Sequence, residues 1–190
     1  MKHLPEFRVN PFAPAGIFLI LFALPRSYAF SVVTVTLLHE AGHAAAALMI
    51  GKKVTRITLM PVGITMTVTQ ASSYVQEIVI AAAGPVQNVL LMLCSPLFPC
   101  GEEIFTFATI SLAVNLAPMA TLDGGRLLCA AVSSRFGAEK GESAVRAATA
   151  ICLFFLWTVA VYIFFYTAEN AALLIFCSYI FSAFILSQED

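Results

Sequence analysis

The chain has very little charge. Of its 190 residues, 11% are Asp, Glu, Lys or Arg, and they nearly cancel to a formal net charge of −1. No basic surface of the kind that binds nucleic acid is encoded, so no nucleic-acid partner is expected. An ordinary water-soluble domain, with roughly a quarter of its residues charged, is excluded as well. Histidine is scarce, three in all, and there is one tryptophan. The five cysteines, Cys94, Cys100, Cys129, Cys152 and Cys177, never fall in a C-x-x-C spacing. Most of them read as small apolar helix fillers, with pairing of Cys94 and Cys100 across a short outer loop as the alternative for those two. The first fourteen residues are polar and proline-punctuated, without the short apolar core and cleavage site of a secretory leader, so the first apolar run is expected to remain as an anchor. No internal repeat, low-complexity segment or second domain is visible.

What the chain has is hydrophobic length. Its apolar content is 60% and its mean hydropathy +0.90. The apolar runs recur and are about 20 residues long, the length that crosses a bilayer. They are continuous rather than alternating, which favours helices over a barrel. The expected fold is an all-α polytopic membrane protein, one domain over residues 1–190, in contact with membrane lipid. About six transmembrane helices are predicted, at 12–24, 28–50, 78–97, 104–122, 147–166 and 168–187. With six spans, nine of the ten Lys and Arg residues fall on the side that holds both termini, and Arg26 alone on the other. That bias predicts cytoplasmic termini.

Residues 36–48 organise the rest. They read T-L-L-H-E-A-G-H-A-A-A-A-L, an H-E-x-x-H pattern formed by His39, Glu40 and His43. Residues four apart share a helix face, so both imidazoles can reach one metal ion, with Glu40 placed to act on a water bound to it. Nothing else between Ala29 and Ile50 is charged, and ionisable groups within a membrane span are expensive and usually functional. The bland alternative is a pair of buried histidines satisfied by helix neighbours.

After this span, Ile57-Thr58-Leu59 and Ile64 to Thr69 alternate apolar and polar residues around Pro61-Val62-Gly63. The pattern predicts a membrane-associated β-hairpin over 54–69, whose open edge would hold an extended substrate by strand addition. An interfacial loop is the alternative. The third span carries Ala81-Ala82-Ala83-Gly84-Pro85-Val86-Gln87-Asn88, where small residues suit close helix packing and Asn88 would serve as polar glue. The fourth ends in Asn115-Leu116-Ala117-Pro118-Met119-Ala120-Thr121-Leu122-Asp123-Gly124-Gly125. Asp123 is the candidate third ligand, since a catalytic zinc takes three protein ligands and keeps one position for water. The Gly-Gly pair is expected to break the helix just after it, and Pro118 to loosen the turn before it. Capping the following segment or pairing with Arg126 would also account for Asp123. The stretch from Ser133 to Gly141 reads as a short polar loop.

These three motifs, in this order and spacing from about Leu37 to Gly125, resemble those of the site-2 protease family of intramembrane zinc metalloproteases (M50 type). The six-span plan is similar to the bacterial sporulation branch, the stage IV sporulation protein FB type. The resemblance implies Zn2+ bound by His39, His43 and Asp123, Glu40 as catalytic acid/base, and Asn88 and Asn115 as residues that orient substrate. It implies regulated intramembrane proteolysis of a membrane protein substrate in a bacterial cell membrane. The catalytic core would span about 28–125, with accessory helices at 12–24 and 147–187. The departures are the CBS segment usual after the last span in that branch, for which the chain stops short at Asp190, and a PDZ domain, for which there is no room. Control is therefore expected from a regulatory membrane partner or inhibitor. The competing reading is a zinc-binding membrane protein without protease activity, a transporter or sensor. The clustering of ionisable groups at one depth, and the presence of Glu40 where a ligand is not needed, weigh against it.

Overall fold

The computed structural model describes residues 5–60, 64–69, 71–167, 175, 177 and 178. Helix α1 (Ala13–Ala23) leads through Pro25, whose fixed φ suits a helix start, into α2 (Arg26–Met49), which carries the H-E-x-x-H pattern. Gly51, at φ 79°, ends α2 in the left-handed conformation that glycine adopts without strain, and the Gly51 and Lys52 amides donate back to Leu48 and Ala47. The chain then forms β2 (Val54–Leu59) and β3 (Ile64–Val68), paired antiparallel with Ile57 opposite Met66. The expected hairpin is present; its 61–63 turn lies outside the described residues. A third strand, β1 (Glu6–Val9), precedes α1 and pairs in parallel with β2, a pairing that the proline-flanked N-terminal segment did not suggest. The sheet order is β1-β2-β3, so among the described residues β3 has one edge without a strand neighbour.

Helix α3 (Tyr74–Cys94) starts at an N-cap, Ser73, whose hydroxyl accepts the Gln76 amide. It crosses α2 closely: a methyl group at Gly42 would lie 2.8 Å from the Ala83 carbonyl oxygen. After a short 3-10 turn comes α4 (Gly101–Asn115). Val35, Leu91, Ile104 and Ala108 from α2, α3 and α4 form a buried apolar core.

The fourth apolar run differs from expectation. Its helix stops at Asn115, not Leu122, and residues 116–122 form an irregular segment that leads into α5 (Asp123–Phe136). Pro118 has no N–H and disfavours helical geometry at Ala117, which places the break before the acid. Gly124 and Gly125 do not break a helix; they lie in the first turn of one. Methyl groups there would overlap the Leu116 and Met119 carbonyls, so glycine lets that segment fold back over α5. The predicted polar loop at 133–141 is also largely helical: α5 and α6 (Ala138–Thr167) are separated by Gly137 alone, at φ 92°.

Among the described residues, three helices are long and apolar enough to cross a membrane: Arg26–Met49, Tyr74–Leu97 and Ala138–Tyr166. α1 and α4, at 11 and 15 residues, are shorter, and the predicted sixth span falls almost wholly outside the described residues. At 1.5 Å per residue the 30-residue α6 is about 45 Å long, so its charged first turns extend beyond a hydrocarbon layer of about 30 Å. Phe154, Phe155, Phe165 and Tyr166 are exposed along its apolar part, a surface suited to lipid.

Candidate metal centre

Helix periodicity places His39 and His43 one turn apart on the face of α2 that meets α3, and both side chains are buried. Asp123, in the first turn of α5, comes to the same point. His39 Nε2 and His43 Nε2 are 3.2 Å apart, and each is 3.1 Å from Asp123 Oδ2. The fold therefore brings a carboxylate oxygen to two imidazole nitrogens that lie 80 and 84 residues before it in sequence. A carboxylate in the first helical turn also lies favourably at the positive end of the helix dipole.

The tautomer of His43 is fixed by its other nitrogen. Nδ1–H donates to the Ile80 carbonyl at 2.7 Å, which leaves a lone pair on Nε2 of the neutral ring. That lone pair faces a carboxylate oxygen and a second imidazole nitrogen. A proton on His39 Nε2 can satisfy one of these contacts at a time, whereas a divalent cation satisfies all three. The dimensions agree. Three donors of a tetrahedral zinc with bonds of about 2.0–2.1 Å lie about 3.3 Å apart, close to the 3.1–3.2 Å found. The two-nitrogen, one-oxygen donor set fits zinc and leaves a fourth position free. α3 leaves room for the rings because residue 84 is glycine: a methyl there would overlap the His43 imidazole.

Glu40 is half-buried, and a carboxylate oxygen of it lies within 4.8 Å of the two histidine nitrogens. Its Oε2 accepts a hydrogen bond from the Met66 backbone N–H at 3.1 Å. Met66 lies on β3, so the hairpin edge is joined directly to the acid. A cavity of about 240 Å³ opens between them, lined by His39, Glu40, His43, Thr65, Met66, Val68, Ile80, Asn115, Thr121, Leu122, Asp123 and Arg126. A neighbouring cavity of about 130 Å³ shares His39, Glu40, Thr65 and Asn115.

The two asparagines are placed differently. Asn115 lines both cavities, whereas Asn88 is fully buried between α3 and α4 and lines neither. They are linked through Ser111 Oγ, which accepts from Asn88 Nδ2 at 2.9 Å and from Asn115 Nδ2 at 3.2 Å. Nothing in the sequence singled out Ser111. Two further charged residues join the site: Glu77, which the sequence did not single out, and Arg126, which it offered only as an alternative partner for Asp123 and which lies 3.4 Å from Asp123 Oδ1. Arg126 lies on the cavity wall and forms a 2.8 Å ion pair with Glu77, in the first turn of α3. Its isolation as an acid at the start of the third apolar run is all that the sequence shows of Glu77.

The sequence matches the family model described as Peptidase M50B-like over residues 13–170. It is 32% identical over 121 residues to stage IV sporulation protein FB of Bacillus subtilis, a stretch that covers 58% of this chain and 42% of that protein. It is 30% identical over 111 residues to a zinc metalloprotease of Methanocaldococcus jannaschii, covering 53% of this chain and 32% of the relative. The matched stretch thus spans less than half the length of either curated relative. Among solved structures, the fold is similar to that of the site-2 protease from Methanocaldococcus jannaschii. The TM-score is 0.61 at 19% identity, over 98% of this chain and 93% of that one.

Proposed function

Because the chain belongs to the peptidase M50B-like family, we propose that it is an intramembrane zinc metalloprotease that hydrolyses a peptide bond of a membrane-embedded or membrane-tethered protein. The observation that carries this reading is the convergence of His39 Nε2, His43 Nε2 and Asp123 Oδ2, with the Glu40 carboxylate beside them and the edge of β3 across the cavity. His39, His43 and Asp123 hold the zinc, which when bound supplies a Lewis acid for the scissile carbonyl and makes an attacking water acidic near neutral pH.

Glu40 takes the proton of the attacking water and returns it to the leaving amine. Peptide bonds inside a substrate helix are shielded by their own hydrogen bonds, so the substrate unwinds before it is cut. The β3 edge supplies replacement partners for the freed backbone, as strand addition does elsewhere. Asn115 donates to a substrate carbonyl from the cavity wall, and Asn88 acts behind it through Ser111. With both termini cytoplasmic, water arrives from the inner side, where a cleft of about 450 Å³ lined by Glu77, Arg126 and Arg146 adjoins the site. Membership of the family supports a membrane-bound substrate; a bacterial membrane as its place and a separate membrane protein as regulator or inhibitor complete the proposal.

The test is zinc content and cleavage of a membrane-tethered substrate for the wild type, Glu40→Gln and Asp123→Ala. The wild type is expected to hold one zinc and cleave. Glu40→Gln is expected to keep the metal while cleavage falls by about 10²–10⁴-fold. Asp123→Ala is expected to lose both. A wild type that binds zinc but cuts no member of a substrate panel would favour the transporter or sensor reading.

A further inference from the structure

Helix α3 contributes none of the three converging atoms, yet it braces two of the residues that do. Ile80 O holds His43 Nδ1 at 2.7 Å. Three residues earlier, on the same face, Glu77 Oε1 accepts from Arg126 Nε at 2.9 Å and Nη2 at 2.8 Å. The remaining edge of the same guanidinium points to Asp123, with Nη1 3.4 Å from Oδ1. Asp123 Oδ2 is the oxygen turned to the histidines. The two oxygens of one carboxylate are thus divided between two tasks.

We propose that Arg126, anchored by Glu77, is a positioning residue that occupies Asp123 Oδ1 and confines the carboxylate to one-oxygen metal binding. The proposal rests on the metal centre described above and adds to it a control of coordination number. A planar guanidinium suits the role because its donors have fixed directions: the pair that grips Glu77 sets where the third points. A helix spacing of three puts Arg126 over Asp123 on α5, while Glu77 comes from another helix. The orientation of Asp123 therefore depends on the α3–α5 contact and not on α5 alone. Without this brace, Oδ1 is free to turn toward the ion as a further ligand that crowds the position a water needs.

The experiment uses the full chain in detergent or nanodiscs, loaded with Zn2+ for affinity by chelator competition and with Co2+ for its visible spectrum. Arg126→Ala and Glu77→Gln are each expected to weaken zinc binding, by about 10–100-fold for the arginine, as loss of an outer partner of a ligand does. Weaker Co2+ absorption in Arg126→Ala, with unchanged helix content, would mark the move from four toward five ligands. In the double variant, affinity is expected to fall no further than in Arg126→Ala, because Glu77 acts through the arginine. Wild-type affinity and spectrum in Arg126→Ala would overturn the proposal while leaving the metal centre standing. Asp123→Ala, measured alongside, separates the two ideas: unchanged affinity there would remove the metal centre itself.

Discussion

The Glu40 carboxylate and the Met66 backbone N–H are joined by a 3.1 Å hydrogen bond between the middle of α2 and the outer edge of β3. Met66 is paired with Ile57 on β2, yet its N–H points away from β2, as in a non-hydrogen-bonded antiparallel pair. The donor that an added strand would use is the one the acid now holds. On the proposed reading, a substrate that docks on this edge takes the N–H and leaves Glu40 free for water.

Met66→Pro tests that link. Proline removes the N–H at an edge position where no sheet hydrogen bond is lost. Cleavage is expected to fall by up to about 10-fold, the scale of one lost hydrogen bond to the substrate backbone, with zinc content unchanged. Met66→Ala, which keeps the N–H, is expected to remain active. Equal loss in both would assign the effect to the side chain.

Gly84→Ala is expected to abolish zinc binding while the helices persist. The added methyl meets His43 and His39 rather than a flexible chain end, so the rings must turn or α3 must move. Overpacking of this kind costs about 1–3 kcal/mol. Metal analysis with circular dichroism checks it; a metal-replete Gly84→Ala protein would show that the rings have room that the structure denies.

Thr149 fixes the irregular segment that leads to Asp123. Its buried hydroxyl accepts the Ala120 amide at 3.0 Å and donates to Val145 O at 2.8 Å. Thr149→Val keeps the shape and removes the acceptor. It is expected to destabilise by about 1 kcal/mol and to speed amide exchange at Ala120. Unchanged exchange there would mean that the segment is held by other contacts.

The sheet responds to acid in a stated direction. Hydrogen bonds from Arg8 and Arg56, at 2.8 and 3.0 Å, hold the Glu6 carboxyl below its ordinary range. A depressed carboxylate stabilises the fold above its unfolded value of about 4.3, and this contribution fades as pH falls through the lower folded value. Amide exchange in β1 is expected to rise across that window. Glu6→Gln is expected to flatten the rise; an unchanged profile would clear Glu6 of the effect.

Legibility from sequence followed the range of the interactions. His39 and His43 could be read because their relationship is one helical turn, and the hairpin because strand alternation is local. Asp123 was found through its motif neighbours, although the helix around it was assigned backwards. Gly124 and Gly125 look like helix breakers by propensity; only their carbonyl neighbours from residues 116–119 show that they are spacers within a helix. β1 is four residues long and pairs with a strand some fifty positions away, so no local pattern announces it. Glu77 and Ser111 act on the site through other residues, and nothing along the chain orders them; Arg126, three residues after Asp123, could be read only as a partner that would explain the acid without a metal.

The parallel pairing of β1 has a consequence for where a substrate is cut. The strand beside Glu40 is the outer member of a sheet tied to α1 through β1 and to α2 through Gly51, two attachments to helices on different paths. On the proposed reading, such a sheet would serve as a ruler. The distance from the membrane surface to the scissile bond would then be set by this frame, and moving a substrate's anchor along its sequence by one helical turn would move the cut by about as many residues in the same direction.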